Sequence, residues 1–66
     1  MHYQIEFEQE EDGRWIAEIP SLPGVMAYGS SMTEAESKVE AMALRVIADR
    51  MERDNTTMTQ VQFAVA

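Results

Sequence analysis

Apolar and polar residues alternate over the first part of the chain. Tyr3, Ile5 and Phe7 are separated by polar residues, a period of two that predicts a strand with one polar face. A second alternating run, residues 15–19, follows a polar turn at residues 10–13 that ends in Asp-Gly. Two alternating runs around such a short turn predict a β-hairpin.

A proline-rich turn and a short third strand come next. Pro20 ends the second strand because proline has no backbone N–H to donate to a neighbour. Residues 20–24 read Pro-Ser-Leu-Pro-Gly, which predicts a turn. Residues 25–28 predict a third strand, and Gly29 and the two serines after it break that strand.

The hydrophobic period then becomes helical. Thr33 followed by Glu36 has the spacing of a capping box, which predicts the start of a helix. Asp54 and Asn55 close the helix, and residues 60–66 alternate again as a fourth strand. The apolar residues with helical spacing form one stripe: Ala35, Val39, Met42, Ala43, Val46, Ile47 and Met51.

These elements predict an α+β domain with the order β-β-β-α-β, spanning residues 1–66. The first three strands form an antiparallel meander. A helical crossover allows strand 4 to lie parallel to strand 1, with the preferred right-handed connection. The expected architecture is a mixed four-stranded sheet of order 3-2-1-4 with one helix packed on one face.

The alternation assigns each strand residue to one face of the sheet. On the helix side we expect Ile5, Phe7, Trp15, Ala17, Ile19, Val61, Phe63 and Val65. On the open side we expect Gln4, Glu6, Glu8, Ile16, Glu18, Met26, Tyr28, Gln60 and Gln62. Exposed apolar groups among polar ones are typical of an interface, with a second copy or with another protein.

Charge and length narrow the possible partners. The 66 residues carry 12 acidic and 5 basic side chains, a formal charge of −7. This balance argues against direct nucleic-acid binding, which needs Lys and Arg, and favours a basic partner. Solubility alone is the other explanation of the acidity. A domain this small is marginally stable, so we also expect a homo-oligomer, a dimer or larger.

The sequence gives no sign of export or of a membrane anchor. Residues 1–9 have neither the basic nor the apolar segment of a signal peptide, and no apolar run reaches the roughly 20 residues of a membrane span. The chain has no Cys, which is compatible with a reducing compartment. We therefore expect a cytoplasmic protein that does not enter the membrane.

Candidate catalytic groups all have simpler explanations. His2 is the only histidine, and no other metal ligand accompanies it at a motif spacing. The carboxylates of the hairpin turn lack the spacing of a calcium loop. Ser30, Ser31 and Thr33 have no nearby base to activate them and suit turn and capping roles. We expect no enzymatic activity, no metal and no cofactor.

One stretch resembles a known family. Residues 15–25, Trp-Ile-Ala-Glu-Ile-Pro-Ser-Leu-Pro-Gly-Val, are followed by Gly29 and by Thr-Glu-Ala at residues 33–35. This combination resembles the N-terminal domain of HicB-type antitoxins. The resemblance implies a partial RNase H-like fold and neutralisation of a HicA-type toxin, a small basic ribonuclease that cuts mRNA. Ser21 departs from the Asp that many members carry in the Pro-Asp-Leu-Pro-Gly turn.

The resemblance leaves two functions open. The first is an antitoxin, and the alternative is a stand-alone interaction or ligand-binding module, homo-oligomeric and without a toxin. Full-length members often add a DNA-binding domain after strand 4, and these 66 residues hold none, so we do not expect them to bind an operator. For the partner-binding surface we expect Glu8, Glu10, Glu11, Asp12, Glu18 and Tyr28. For the oligomer interface we expect Ile16, Met26, Gln60 and Gln62.

Overall fold

The computed structural model describes residues 1–58 and 60–66. Its elements are β1 (His2–Gln9), β2 (Trp15–Glu18), β3 (Met26–Gly29), α1 (Met32–Asp54) and β4 (Gln62–Val65). The sheet has the order β3-β2-β1-β4, in which β4 runs parallel to β1 and the other pairs are antiparallel. The helix packs on β2 and β3. The predicted α+β class, element order and strand order are confirmed.

The strand boundaries differ from the prediction by one or two residues. β2 ends at Glu18, and the N–H of Ile19 donates to the carbonyl of Val25 at 3.1 Å across the following turn. β3 extends through Gly29, which was expected to break it. β4 begins at Gln62, so the prediction that it includes Gln60 and Val61 is wrong.

The proline-rich turn contributes to the core as well as reversing the chain. Leu22 and Val25 are both 2% exposed. The N–H of Leu22 donates to the carbonyl of Ile19 at 3.0 Å, and the N–H of Val25 donates to the carbonyl of Leu22 at 3.0 Å. Gly24 has a φ of +83°, a backbone conformation that residues with a Cβ rarely adopt. The turn therefore folds two apolar side chains back under the sheet.

The core lies between the helix and the sheet. Its helical contribution comes at intervals of four residues, as the apolar stripe predicts. The buried apolar residues are Tyr3, Ile5, Ala17, Ile19, Leu22, Val25, Ala35, Val39, Ala43 and Ile47. Phe7, Trp15, Val61 and Phe63, which were also expected on the helix side, are half-buried against this core.

Val65 is the exception to the predicted faces. It pairs with Ile5 across β1 and β4, which puts it on the helix side of the sheet, yet it is 54% exposed. The helix packs on β2 and β3, which lie toward the opposite edge of the sheet from β4. Val65 is therefore on the expected face but beyond the reach of the helix.

Gly29 lies where the helix backbone closely approaches β3. A Cβ at this position would lie 2.5 Å from the backbone nitrogen of Ala35, far inside van der Waals contact. The φ of Gly29 is not positive, so the requirement for glycine here is space and not backbone conformation. Ala35 is fully buried, and this contact joins β3 to the first turns of α1.

We expect Gly29→Ala to destabilise the fold by about 2–4 kcal/mol, because overpacking against backbone atoms cannot be relieved by a side-chain rotation. Gly13→Ala is the control: a Cβ at Gly13 meets nothing within 4 Å, and its φ of +93° predicts a loss of about 1 kcal/mol. Urea denaturation followed by circular dichroism compares the two. Equal losses would contradict the steric explanation.

The helix begins two residues earlier than predicted. Ser31, in an extended conformation, is the N-cap, and its hydroxyl accepts the N–H of Glu34 at 3.1 Å. Oε1 of Glu34 accepts the N–H of Ser30 at 2.8 Å. That hydrogen bond, together with nearby Lys38, lowers the pKa of Glu34. The predicted cap, Thr33, already lies inside the helix. Both pairs have capping-box spacing, and the close packing at Gly29 favours the earlier one.

We expect Ser31→Ala to cost about 1 kcal/mol of unfolding free energy, because it removes the acceptor for an N–H of the first turn. Thr33→Ala should be close to neutral, since Thr33 is exposed and inside the helix. The urea midpoints of the two variants measure the difference. A larger loss for Thr33→Ala would restore the original capping prediction.

Candidate functional site: the open face of the sheet

The sheet face opposite the helix has no covering element among the described residues. We call it the open face, and the strand registers give it two rows that cross three strands. One row is Glu8, Ile16 and Tyr28, and the next is Glu6, Glu18 and Met26. The face continues onto the start of β1 and onto β4 with His2, Gln4 and Gln62.

The carboxylates of the open face repel one another. Glu6 lies directly opposite Glu18 in the pairing of β1 with β2, and Glu8 lies two residues from Glu6 on the same face. Like charges directly opposite each other in a sheet are destabilising. Within residues 1–58 and 60–66, none of these three carboxylates forms an ion pair with a basic side chain. The isolated domain therefore carries an electrostatic cost on this face.

Apolar groups lie beside these carboxylates. Tyr28 is 43% exposed and Met26 is 39% exposed, while Ile16 between them and β1 is half-buried. Aromatic residues and methionine are enriched in the centres of protein interfaces, where they bury area while adapting to the partner. The open face thus combines an apolar patch on β2 and β3 with carboxylates on β1 and at Glu18, the last residue of β2.

Arg14 connects the hairpin turn to the open face. Its guanidinium carbon lies 4.9 Å from the centroid of the Tyr28 ring, within the range of a cation–π interaction. Its Nε donates to Oδ2 of Asp12 at 2.9 Å. Sequence reasoning did not select Arg14, although its even number places it on the same face as Ile16 and Glu18. Arg14 therefore contacts both Tyr28 and Asp12, and in this way links the open face to the acidic turn.

The acidic turn itself is ordered by its own hydrogen bonds. Asp12 accepts the backbone N–H of Arg14 at 3.1 Å, and the pKa of Asp12 is lowered chiefly by this bond. The N–H of Glu10 donates to the carbonyl of Arg14 at 2.7 Å, and the N–H of Gly13 donates to the carbonyl of Glu10 at 2.9 Å. Asp12 thus shapes the turn, and the exposed Glu11 side chain is available to a partner.

The structure brings the six predicted partner-binding residues to one region. Glu8 and Tyr28 share a row of the open face, Glu18 lies in the next row, and residues 10–12 form the turn that joins β1 to β2. The acidic side chains of the turn and of the strands therefore lie in one region, with the guanidinium of Arg14 among them beside Tyr28.

The four predicted oligomer residues do not form one patch. Ile16 and Met26 lie on β2 and β3, whereas Gln62 lies on β4 at the other edge, about 14 Å from β3 at the usual strand spacing. Gln60 precedes β4, and its carbonyl accepts the N-terminal amine of Met1 at 2.8 Å. Its assignment to a strand was wrong, because the ladder that defines β4 begins at Gln62.

A shallow depression of about 290 Å³ lies at the other end of the open face. It is lined by His2, Gln4, Glu6, Pro20 and Ser21. It therefore places the only histidine near the turn residue that departs from the HicB pattern. In the part of the chain that the structure describes, no group of three or more His, Asp or Glu side chains is arranged to hold a metal ion. No helix among these residues is long and apolar enough to cross a membrane.

Comparison with models of known protein families, with curated proteins and with solved structures gives no match. The resemblance to HicB-type antitoxins therefore rests on residues 15–25, Gly29 and residues 33–35 of the sequence.

The lowered pKa of Asp12 predicts a pH dependence of stability. Its contribution is present above the unfolded-state pKa and is lost as the pH falls through the lower folded-state pKa. Asp12→Asn should therefore destabilise the protein at pH 7 and destabilise it less at pH 3. Thermal unfolding at both pH values measures this effect. Glu11→Gln, which removes the same charge from the same turn, is the control and should not reproduce it.

Proposed function

We propose that this domain is an antitoxin-like protein that binds and neutralises a small basic ribonuclease of the HicA type. The proposal includes the partial RNase H-like fold of HicB domains. The observation that carries it is the open face, where unpaired carboxylates border an exposed Tyr and Met. The HicB-like sequence of residues 15–35 supports the same conclusion independently.

The arrangement of charge supports a basic partner. A cationic surface laid over β1 and β2 would offset the repulsion between Glu6 and Glu18, which the free domain bears alone. Complementary charge also accelerates encounter and disfavours acidic competitors. A ribonuclease that binds RNA must present such a cationic surface. Covering that surface would block its access to RNA without any chemistry in this domain.

The apolar patch would supply the centre of the interface. Tyr28 offers a flat apolar ring with a polar end, and its contact with Arg14 restricts its motion before binding. Met26 and Ile16 lie beside it on β3 and β2. A pre-ordered aromatic residue loses less conformational entropy on binding than a mobile one. We therefore expect Tyr28 to contribute more to affinity than any single carboxylate.

The first test uses the adjacent open reading frame. It should encode a basic protein of similar length with a single catalytic His. Co-expression of the two proteins should yield a complex of them and should restore the growth of cells that the toxin alone inhibits. No complex and no rescue would sink the antitoxin proposal and favour the stand-alone module.

The second test separates binding from folding. We expect the double variant Glu6→Gln/Glu18→Gln to be more stable than the wild type, because the cross-strand repulsion is gone, and to bind the toxin about tenfold less tightly. Titration calorimetry at low and high salt, with a toxin inactivated at its His, measures the affinity. Glu52→Gln/Asp54→Asn makes the same charge change on the exposed helix end and should bind normally. Equal affinity for both doubles would contradict the role of the open face.

A further inference from the structure

We propose that the β4 edge of the sheet pairs with the β4 edge of a second copy of this chain. The two strands would run antiparallel across a two-fold axis and join the two sheets into one of eight strands. This surface is separate from the open face, and the proposal does not depend on the antitoxin function.

The backbone of β4 has free groups on its outer side. β4 lies at the edge of the sheet, with β1 as its single hydrogen-bonded neighbour among the described strands. The N–H of Gln62 donates to Met1 and the N–H of Ala66 donates to Ile5, both at 2.9 Å. Because alternate residues of a parallel strand bond to the same neighbour, the N–H and C=O groups of Phe63 and Val65 point away from β1.

Apolar side chains accompany these free backbone groups. Val65 is 54% exposed. The ring of the half-buried Phe63 is tilted by 35° relative to the ring of Tyr3, with 6.0 Å between their centroids. Phe63 and Val65 both lie on the helix side of the sheet, at the edge opposite to the strands on which α1 packs. Antiparallel pairing of two β4 strands would place Phe63 and Val65 beside the same side chains of the second copy. Aromatic and β-branched neighbours of this kind stabilise strand pairs.

The distribution of charge selects a second copy as the occupant. All 17 charged side chains lie within residues 1–54, and residues 55–66 carry none. Two molecules of net charge −7 repel each other, so they associate most easily through a neutral surface. Natural sheets protect edges with charged residues or proline, and β4 has neither. The other edge, β3, is a poorer candidate, because Met26 there lies beside Glu18.

The test is the oligomeric state of the purified protein and of two lysine variants. A short strand edge buries less than a standard interface, so we expect a dimer with a dissociation constant of about 1–100 μM by analytical ultracentrifugation. Val65→Lys places a charge on the edge and should raise that constant at least about tenfold. Leu44→Lys, on the outer helix surface and 48% exposed, makes the same change elsewhere and should leave the dimer intact.

Amide hydrogen exchange identifies the pairing directly. The amides of Phe63 and Val65 should gain protection as concentration rises through the dissociation constant, at least about tenfold at saturation. The amide of Ala64, which points toward β1, is the internal control and should change little. In Val65→Lys, the Phe63 amide should stay unprotected. Three results would each overturn the proposal. The first is a wild-type protein that is still monomeric at 200 μM, about twice the upper expected dissociation constant. The others are a dimer that Leu44→Lys dissociates and Val65→Lys does not, and a dimer in which the Phe63 and Val65 amides stay unprotected.

Discussion

The contact between Gly29 and Ala35 is the constraint on which the rest of this structure depends. The absent Cβ lets the backbone of α1 approach β3 directly, and any side chain there would meet Ala35. That contact places the helix over β2 and β3, and only two residues separate the end of β3 from the start of the helix. Everything the helix does not cover follows from this position: the whole open face, and the strip along β4 that contains Val65.

The two uncovered regions differ in charge, and this difference divides their roles. The open face carries three unpaired carboxylates around an apolar centre, which favours a cationic partner and disfavours a second acidic copy. The β4 edge has no charged side chain and has free backbone groups, which favours pairing with the β4 strand of a second copy. Repulsion between two acidic molecules opposes self-association through the open face. The β4 edge, which has no charged side chain, is the surface at which this repulsion is weakest.

Periodicity predicted the element order because β1 alternates apolar and polar residues and the helix has one apolar stripe. The strand order followed from the short connections of the meander and from the right-handed helical crossover. It misplaced the helix start because Ser31–Glu34 and Thr33–Glu36 have the same spacing, and only the tertiary contact at Gly29 distinguishes them. It placed Val65 on the right face but had no information on how far the helix extends. The role of Arg14 was missed because its cation–π contact joins the hairpin turn to β3 and leaves no pattern along the chain.

The two surfaces are linked through the geometry of the sheet. A two-fold axis that relates antiparallel edge strands runs perpendicular to the sheet, so both open faces of the paired molecules point to the same side. The eight-stranded sheet would then present one broad acidic surface with two apolar patches. A partner that carries two basic sites would gain from binding both at once, since the second contact becomes intramolecular. Dimerisation through β4 would in this way strengthen binding at the open face without adding a contact there.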